Sequence, residues 1–201
     1  MKFRLNKSLT LLELLIALSL FFVIVLAFTS IQYFIRFHLV TSERQSLLQN
    51  EISFALEHMA KFVSQGVGPL PLETVGGNPP NGFRVRVDRN LTRTPPQFPT
   101  PANTDDDNWI SYRLIGAPLR LTCSCATISA SSPSCANFIG GNLSFHIPTP
   151  PAAGFYINIT GNGSMIEVAL VARWQPNNGV SLDNPQVVMK TLIYARGSET
   201  H

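Results

Sequence analysis

The sequence predicts an α+β protein in which one long N-terminal helix is followed by antiparallel β-strands. Three observations support this class. An uncharged apolar run occupies residues 14–35, a stretch of helical periodicity follows it, and short alternating segments bounded by Pro, Gly and Asn fill the remainder. Because the helix comes first and the strands come after it, we expect an antiparallel sheet to cover the outer half of the helix.

The apolar run Leu14–Ile35 is 22 residues long and reads LLIALSLFFVIVLAFTSIQYFI. About 20 such residues suffice to cross the hydrocarbon core of a bilayer as a helix. Lys2, Arg4 and Lys7 precede the run, so the positive-inside rule places the N-terminus in the cytoplasm and the remainder outside. A cleaved secretory signal is the alternative, but the run is long and no small-x-small cleavage motif follows it.

The helix is expected to continue beyond the membrane with an amphipathic half. No proline occurs before Pro69, and Gly66 and Gly68 supply a stop, so a single helix from Leu9 to Gln65 is predicted. His58 is predicted to be a surface residue rather than a ligand. The apolar positions recur at the three-and-four spacing of a buried helical stripe and are Leu48, Ile52, Ala55, Leu56, Met59, Phe62 and Val63.

Residues 69–108 are Pro-rich and are predicted to form loop, interrupted by one strand at Gly82–Arg89. Alternation in that strand places Phe83, Val85 and Val87 on one face and Arg84 and Arg86 on the other. Further strands are predicted at Trp109–Ile115, Pro118–Ser124, Asn142–Ile147, Phe155–Thr160, Met165–Trp174 and Gln186–Arg196.

Composition limits the classes of function. Charged residues make up 13% of the chain, about half the usual share of about 25%. The net charge of +3 equals the three cations of the first eight residues, so the remainder is neutral and binding of polyanions through bulk charge is excluded. The sequence contains no catalytic motif of a familiar hydrolase or phosphate-binding loop, and we expect neither an enzyme nor a cofactor.

Glu13 stands at the leading edge of the apolar run, where a carboxylate is costly and calls for a function. The residues around it read Lys7-Ser8-Leu9-Thr10-Leu11-Leu12-Glu13-Leu14-Leu15. This segment resembles the class III leader of type IV pilins and type II secretion pseudopilins. The resemblance implies cleavage by a prepilin peptidase between Ser8 and Leu9, with Ser8 departing from the family's usual Gly. It also implies that Glu13, the fifth residue after the cut, meets the N-terminal amine of a neighbouring subunit.

The second half of the chain resembles, more loosely, the J-type minor pseudopilins and PilW-like minor pilins. The similar segments are Trp109–Leu114 with Pro118–Arg120, Asn142–Phe145, and Tyr194–Arg196. The implied partners are other pilin or pseudopilin subunits, the prepilin peptidase, an assembly platform of the bacterial inner membrane, and membrane lipid before assembly. The implied protein is a minor, non-enzymatic filament subunit. A major pilin of the filament shaft and a monomeric membrane-tethered adhesin or binding module are the alternatives.

The resulting organisation has four segments. Residues 1–8 form a cleaved basic leader, residues 9–35 a helix for the membrane or the filament core, residues 36–68 an amphipathic helix, and residues 69–201 Pro-rich loops with the sheet domain.

The three cysteines are Cys123, Cys125 and Cys135, and no zinc-site spacing accompanies them. Outside the cytoplasm they could form one disulfide and leave one thiol. Cys123 and Cys125 lie two apart in a strand, about 6.5–7 Å between Cα atoms, so a bond across the loop to Cys135 is easier than a bond between them. We favour Cys125 with Cys135 over Cys123 with Cys135; in a reducing host all three stay free.

Two charged clusters remain. Asp105, Asp106 and Asp107 are predicted to lie in a solvated loop rather than to bind calcium, since three adjacent carboxylates cannot all face one ion. The arginines of the first strand region could contact DNA phosphates, but we favour an outward strand face whose charges discourage edge pairing, and we expect no nucleic-acid partner. These arginines are Arg84, Arg86, Arg89 and Arg93.

Overall fold

The structure is a computed structural model, and it describes residues 10–68, 70–76, 80–88, 107–116, 119–128, 143–145, 147 and 155–195. The chain divides into two compact units, Met1–Ser42 and Glu43–His201. We call residues 11–42 the stem helix and the second unit the head. The elements in order are α1 Leu11–Val63, β1 Leu72–Val75, β2 Gly82–Asp88, β3 Asp107–Ile115, β4 Arg120–Thr127, β5 Leu143–Ser144, β6 Phe155–Thr160, β7 Met165–Arg173 and β8 Gln186–Tyr194.

The predicted α+β class is confirmed: a single helix of 53 residues comes first and antiparallel strands follow. α1 ends at Val63, two residues before the predicted end at Gln65. Gln65 and Gly66 instead close the last turn with hydrogen bonds to the carbonyls of Phe62 and Val63. Gly66 then forms a β-bridge with Val87, which directs the chain toward the sheet.

The strands form two sheets, whereas the sequence predicted one. The first sheet has the order β1-β2-β3-β4-β5 and the second the order β6-β7-β8, and every pairing is antiparallel. The turn after β6 lies close to the first residue of β1, since a Cβ on Gly163 would lie 3.1 Å from the Leu72 carbonyl oxygen.

The sequence missed β1, because four residues give too little alternation to stand out from a Pro-rich region. Its stability comes from pairing, since each residue from Leu72 to Val75 has a partner in β2. The loop predicted for 69–108 is therefore wrong at both ends. β1 occupies Leu72–Val75 near its start, and β3 already begins at Asp107 near its end. β4 is shifted toward Thr127, β5 is reduced to two residues, and β7 and β8 end one or two residues before the predicted limits.

The core of the head forms where the C-terminal part of α1, from Leu48 to Val63, meets the sheets. The predicted helical stripe from Leu48 to Val63 is confirmed, as all seven of its residues are buried. The predicted inner face of β2 is also confirmed, because Phe83, Val85 and Val87 are at most 1% exposed. Residues from both sheets complete the same cluster, among them Ile110, Tyr112, Leu121, Ile166, Val168 and Leu170.

Candidate functional site

The first turn of α1 is closed by a reciprocal pair of hydrogen bonds between Thr10 and Glu13. The Thr10 backbone N–H donates to Glu13 Oε2 at 2.9 Å, and the Glu13 backbone N–H donates to Thr10 Oγ1 at 3.3 Å. The Thr10 hydroxyl also donates to Oε2 at 3.0 Å. This arrangement is a capping box, which satisfies two amide donors that a helix otherwise leaves unpaired.

The capping box was missed at the sequence level, although its signature, Thr-x-x-Glu before an apolar run, is present in residues 10–13. The implied role of Glu13 in pairing with a neighbour is untested by this geometry. Among the residues that the structure describes, Glu13 Oε1 accepts no hydrogen bond, and both bonds from Thr10 go to Oε2. The implied cleavage residues, Ser8 and Leu9, lie outside the described residues.

The stem helix exposes its apolar side chains all around. None of its most apolar stretch is buried, and the helix is long and apolar enough to cross a membrane. The few hydroxyl groups in the run are satisfied within the helix: Ser19, Thr29 and Ser30 donate to the carbonyls three residues earlier. Such internal satisfaction is what a segment without access to water requires.

In the head, a polar contact joins α1 to the sheet inside an aromatic setting. His58 Nδ1 lies 2.9 Å from Tyr112 Oη, and the Tyr112 hydroxyl donates to the His58 carbonyl at 3.2 Å. The rings of Phe54, Phe62 and Phe145 surround the imidazole at 4.8–6.4 Å between centroids. The prediction that His58 is a surface residue is therefore wrong: the side chain is half-buried and fixes the helix to β3.

Burial determines the titration of this group of side chains. Loss of solvent lowers the pKa of His58, and the nearby Lys61 ammonium lowers it further. Tyr112 is fully buried, and burial raises its pKa well above the usual value. Burial also raises the pKa of the Cys123 thiol to about 12, although a hydrogen bond with Tyr112 opposes the shift. Cys123 is consequently protonated and unreactive at neutral pH.

The cysteines behave differently from one another. Cys123 is a buried free thiol. Cys125 is disulfide-bonded, and its partner is not among the described residues. Since Cys135 lies outside those residues, the pairing of Cys125 with Cys135 stays a prediction.

Two of the arginines predicted to face outward are engaged within the head. Arg86 is 9% exposed, so its predicted outward position is wrong: Nε lies 3.2 Å from Asp107 Oδ2 and donates to the Val67 carbonyl at 3.2 Å. Asp107 is 1% exposed and lies in β3, so its predicted place in a solvated loop is also wrong. The carboxylate and the guanidinium offset part of the cost that each buried charge would bear alone. Asp105, Asp106, Arg89 and Arg93 lie outside the described residues.

Arg84 does face outward, as predicted, but it has partners. Its guanidinium binds Glu73 Oε2 at 2.5 Å and stacks over the Trp109 ring at 4.2 Å. This half-exposed arrangement ties three neighbouring strands together on the outer face of the first sheet, where β1, β2 and β3 lie side by side.

No family model, no curated protein and no solved structure matches this chain significantly. Within the part of the chain that the structure describes, no group of three His, Cys, Asp or Glu side chains could hold a metal ion. The capped apolar stem helix is thus the candidate site, and in the head the contact of His58 with Tyr112 holds α1 against the sheet.

Proposed function

We propose that this chain is a minor pilin or pseudopilin, a structural subunit that is held in the bacterial inner membrane and then assembled into a filament. One observation carries the proposal. A single helix, α1, is apolar and exposed over its stem part and buried against antiparallel sheets over its head part. A stem of this kind can be buried equally well in lipid or against equivalent stems in a filament core.

Glu13 would provide the specificity of assembly. In the membrane, Thr10 donates hydrogen bonds to one oxygen of the Glu13 carboxylate. This lowers the cost of holding the carboxylate there before a neighbouring subunit binds. None of the described residues donates to Oε1, and an ammonium group is the partner that a carboxylate in an apolar core most requires. Cleavage between Ser8 and Leu9 would leave the Thr10 N–H in place, because it is an amide in both forms of the chain. The cap and the proposed neighbour contact are therefore compatible.

The capping box also gives an observation in favour of the second candidate, a monomeric membrane-tethered binding module. In that protein Glu13 would serve only as the cap of the stem helix. A major pilin of the filament shaft is the third candidate, and it shares the assembly role of Glu13.

The Glu13→Gln variant separates capping from assembly. Glutamine can take the Glu position of a capping box but carries no charge, so we expect Glu13→Gln to insert into the membrane normally and to be depleted from filaments about tenfold, which corresponds to about 1.4 kcal/mol. The measurement is the amount of subunit in sheared filaments relative to the membrane pool. Thr10→Ser is the matched control, since serine preserves the cap, and it should assemble like the wild type.

Equal recovery of Glu13→Gln and wild type would favour the tethered module. Intact-mass analysis of the membrane-extracted protein tests the implied processing in the same cells. Loss of residues 1–8 supports the proposal, and their retention in cells that contain the peptidase contradicts it.

A further inference from the structure

The loop between β7 and β8, residues 174–185, has a defined shape that its own polar residues maintain. Asn184 is 3% exposed and lies at the centre of the loop. Its Oδ1 accepts from the Gln175 N–H at 2.6 Å, and its Nδ2 donates to the carbonyls of Gln175 at 3.0 Å and Gly179 at 2.9 Å. Arg173 adds a bond to the Asn178 carbonyl at 2.6 Å. The loop is therefore preorganised and does not need a partner in order to fold.

The tip of this loop presents apolar side chains to the outside. Val180 is 60% exposed and Leu182 is 62% exposed, and Trp174 at the base of the loop is 37% exposed. Large apolar side chains on a rigid, well-bonded loop mark an interaction surface more strongly than isolated apolar residues on a mobile one.

Arg44 of α1 fixes where the loop lies within the head. Its guanidinium donates to the Asp183 carbonyl and lies 5.4 Å from the centre of the Trp174 ring. Farther along the same helix, Ser53 contacts Met189 of β8. Within the head, loop 174–185 therefore lies beside Arg44, one of the first residues of that unit.

We infer that the tip of loop 174–185 docks on the surface of the lipid bilayer. The inference requires that the stem helix spans a membrane, and it holds whether the chain is a filament subunit or a tethered module. Arg44 follows Ile35, the end of the apolar run, by nine positions along the chain. Even fully extended, nine residues reach only about 30 Å, so the chain keeps the loop close to the bilayer surface.

The chemistry of the surface fits the interface of a bilayer. An indole is favoured at the level of the lipid headgroups, and an arginine can extend its charge to lipid phosphates while its stem lies along apolar groups. Val180 and Leu182 would enter the region just below. A second copy of the chain is a poorer occupant, because two side chains and part of an indole cannot supply the area of about 800 Å² per partner that a stable protein interface buries.

Trp174 provides a direct test, since the chain contains only two tryptophans and the other, Trp109, stacks on Arg84 in the first sheet. Full-length protein is reconstituted into phosphatidylcholine vesicles in which part of the lipid is brominated on its acyl chains near the headgroup. The Trp174 signal is the difference between wild type and Trp174→Phe. At the depth of about 5–10 Å typical of interfacial insertion, bromine should reduce this signal about twofold.

The double variant Val180→Asp/Leu182→Asp should lose the quenching. Ile115→Asp is the matched control: Ile115 is 53% exposed at the end of β3 in the other sheet, and the variant should be quenched like the wild type. Because the first comparison uses the wild-type loop, the result does not depend on whether the double variant folds.

Each other outcome overturns the inference. Protein that floats with the vesicles but shows no quenching of Trp174 contradicts the docking while leaving the membrane stem intact. A blue shift of Trp174 that depends on the ratio of protein to lipid, without quenching by bromine, assigns the loop to a second copy. Protein that fails to float contradicts the membrane span and with it both proposals.

Discussion

The two parts of α1 share one helical backbone but differ in what surrounds their apolar side chains. In the stem helix, Leu26 is 68% exposed and Ile24 is 65% exposed, whereas in the head Ile52 and Met59 are fully buried. In the stem, apolar residues surround the whole helix, and in the head they form one stripe with polar residues opposite. This difference indicates that the head part is stabilised within the chain, while the stem part must be covered by lipid or by other subunits.

The largest effect should come from removing one part of the helix or the other. A fragment that starts at Arg44 keeps the whole buried stripe, and we expect it to be soluble and to unfold cooperatively. A fragment that starts at Gly68 keeps every strand but loses the stripe, and it should precipitate or fail to fold because the inner faces of the sheets are then exposed.

Thermal unfolding followed by circular dichroism compares these two fragments. Similar cooperative transitions in both would show that α1 is not part of the core of the head and would contradict the packing of its buried stripe against the sheets.

Single substitutions should give a smaller effect on the stability of the head, and only a substitution in the head part of α1 should lower it. Met59→Ala removes a fully buried side chain, and such substitutions cost about 2–5 kcal/mol. Leu26→Ala in the stem should leave the unfolding of the head unchanged, because Leu26 has no part in the core. The measurement is the denaturant midpoint of the full-length protein in detergent micelles. A loss of stability of the head in Leu26→Ala would show that the two parts are coupled.

Much of the fold could be predicted from periodicity, because the decisive interactions are hydrophobic and repeat at 3.6 or 2 residues. The helical stripe and the inner face of β2 follow directly from such repeats. β1 could not be predicted, since a four-residue strand depends on its pairing with β2 rather than on its own pattern. The separation into two sheets could not be predicted either, since it depends on which strands pair, and pairing has no periodic signal in the sequence.

The polar contacts could be predicted only where the interacting residues are close together in the sequence. The position of Glu13 could be recognised from the apolar run, and the capping box could have been recognised from Thr10. The pairing of Arg86 with Asp107 joins residues 21 apart in the sequence, and the Asn184 network becomes evident only when the loop closes. Neither Arg86 nor Asp107 differs locally from an exposed strand or loop residue, which explains why both predictions were wrong.

The smallest effect, and the one that tests the attachment of α1 to the sheet, concerns His58. Because burial lowers its pKa in the folded state, the unfolded chain binds this proton more readily. The contribution of His58 is therefore fully present above the unfolded pKa of about 6.5 and declines as the pH falls toward the lowered folded value. His58 is half-exposed, and solvent screening keeps the loss below about 1 kcal/mol.

In His58→Gln, stability measured by denaturant titration between pH 7.5 and about 5 should decline less than in the wild type. His38→Gln, which changes an exposed imidazole of the stem helix, is the control and should retain the wild-type profile. If His58→Gln and wild type lose stability in parallel, the pKa of His58 is the same in the folded and unfolded chains. The contacts of the imidazole with Phe62 and Tyr112 would then not shield it from water, contrary to this prediction.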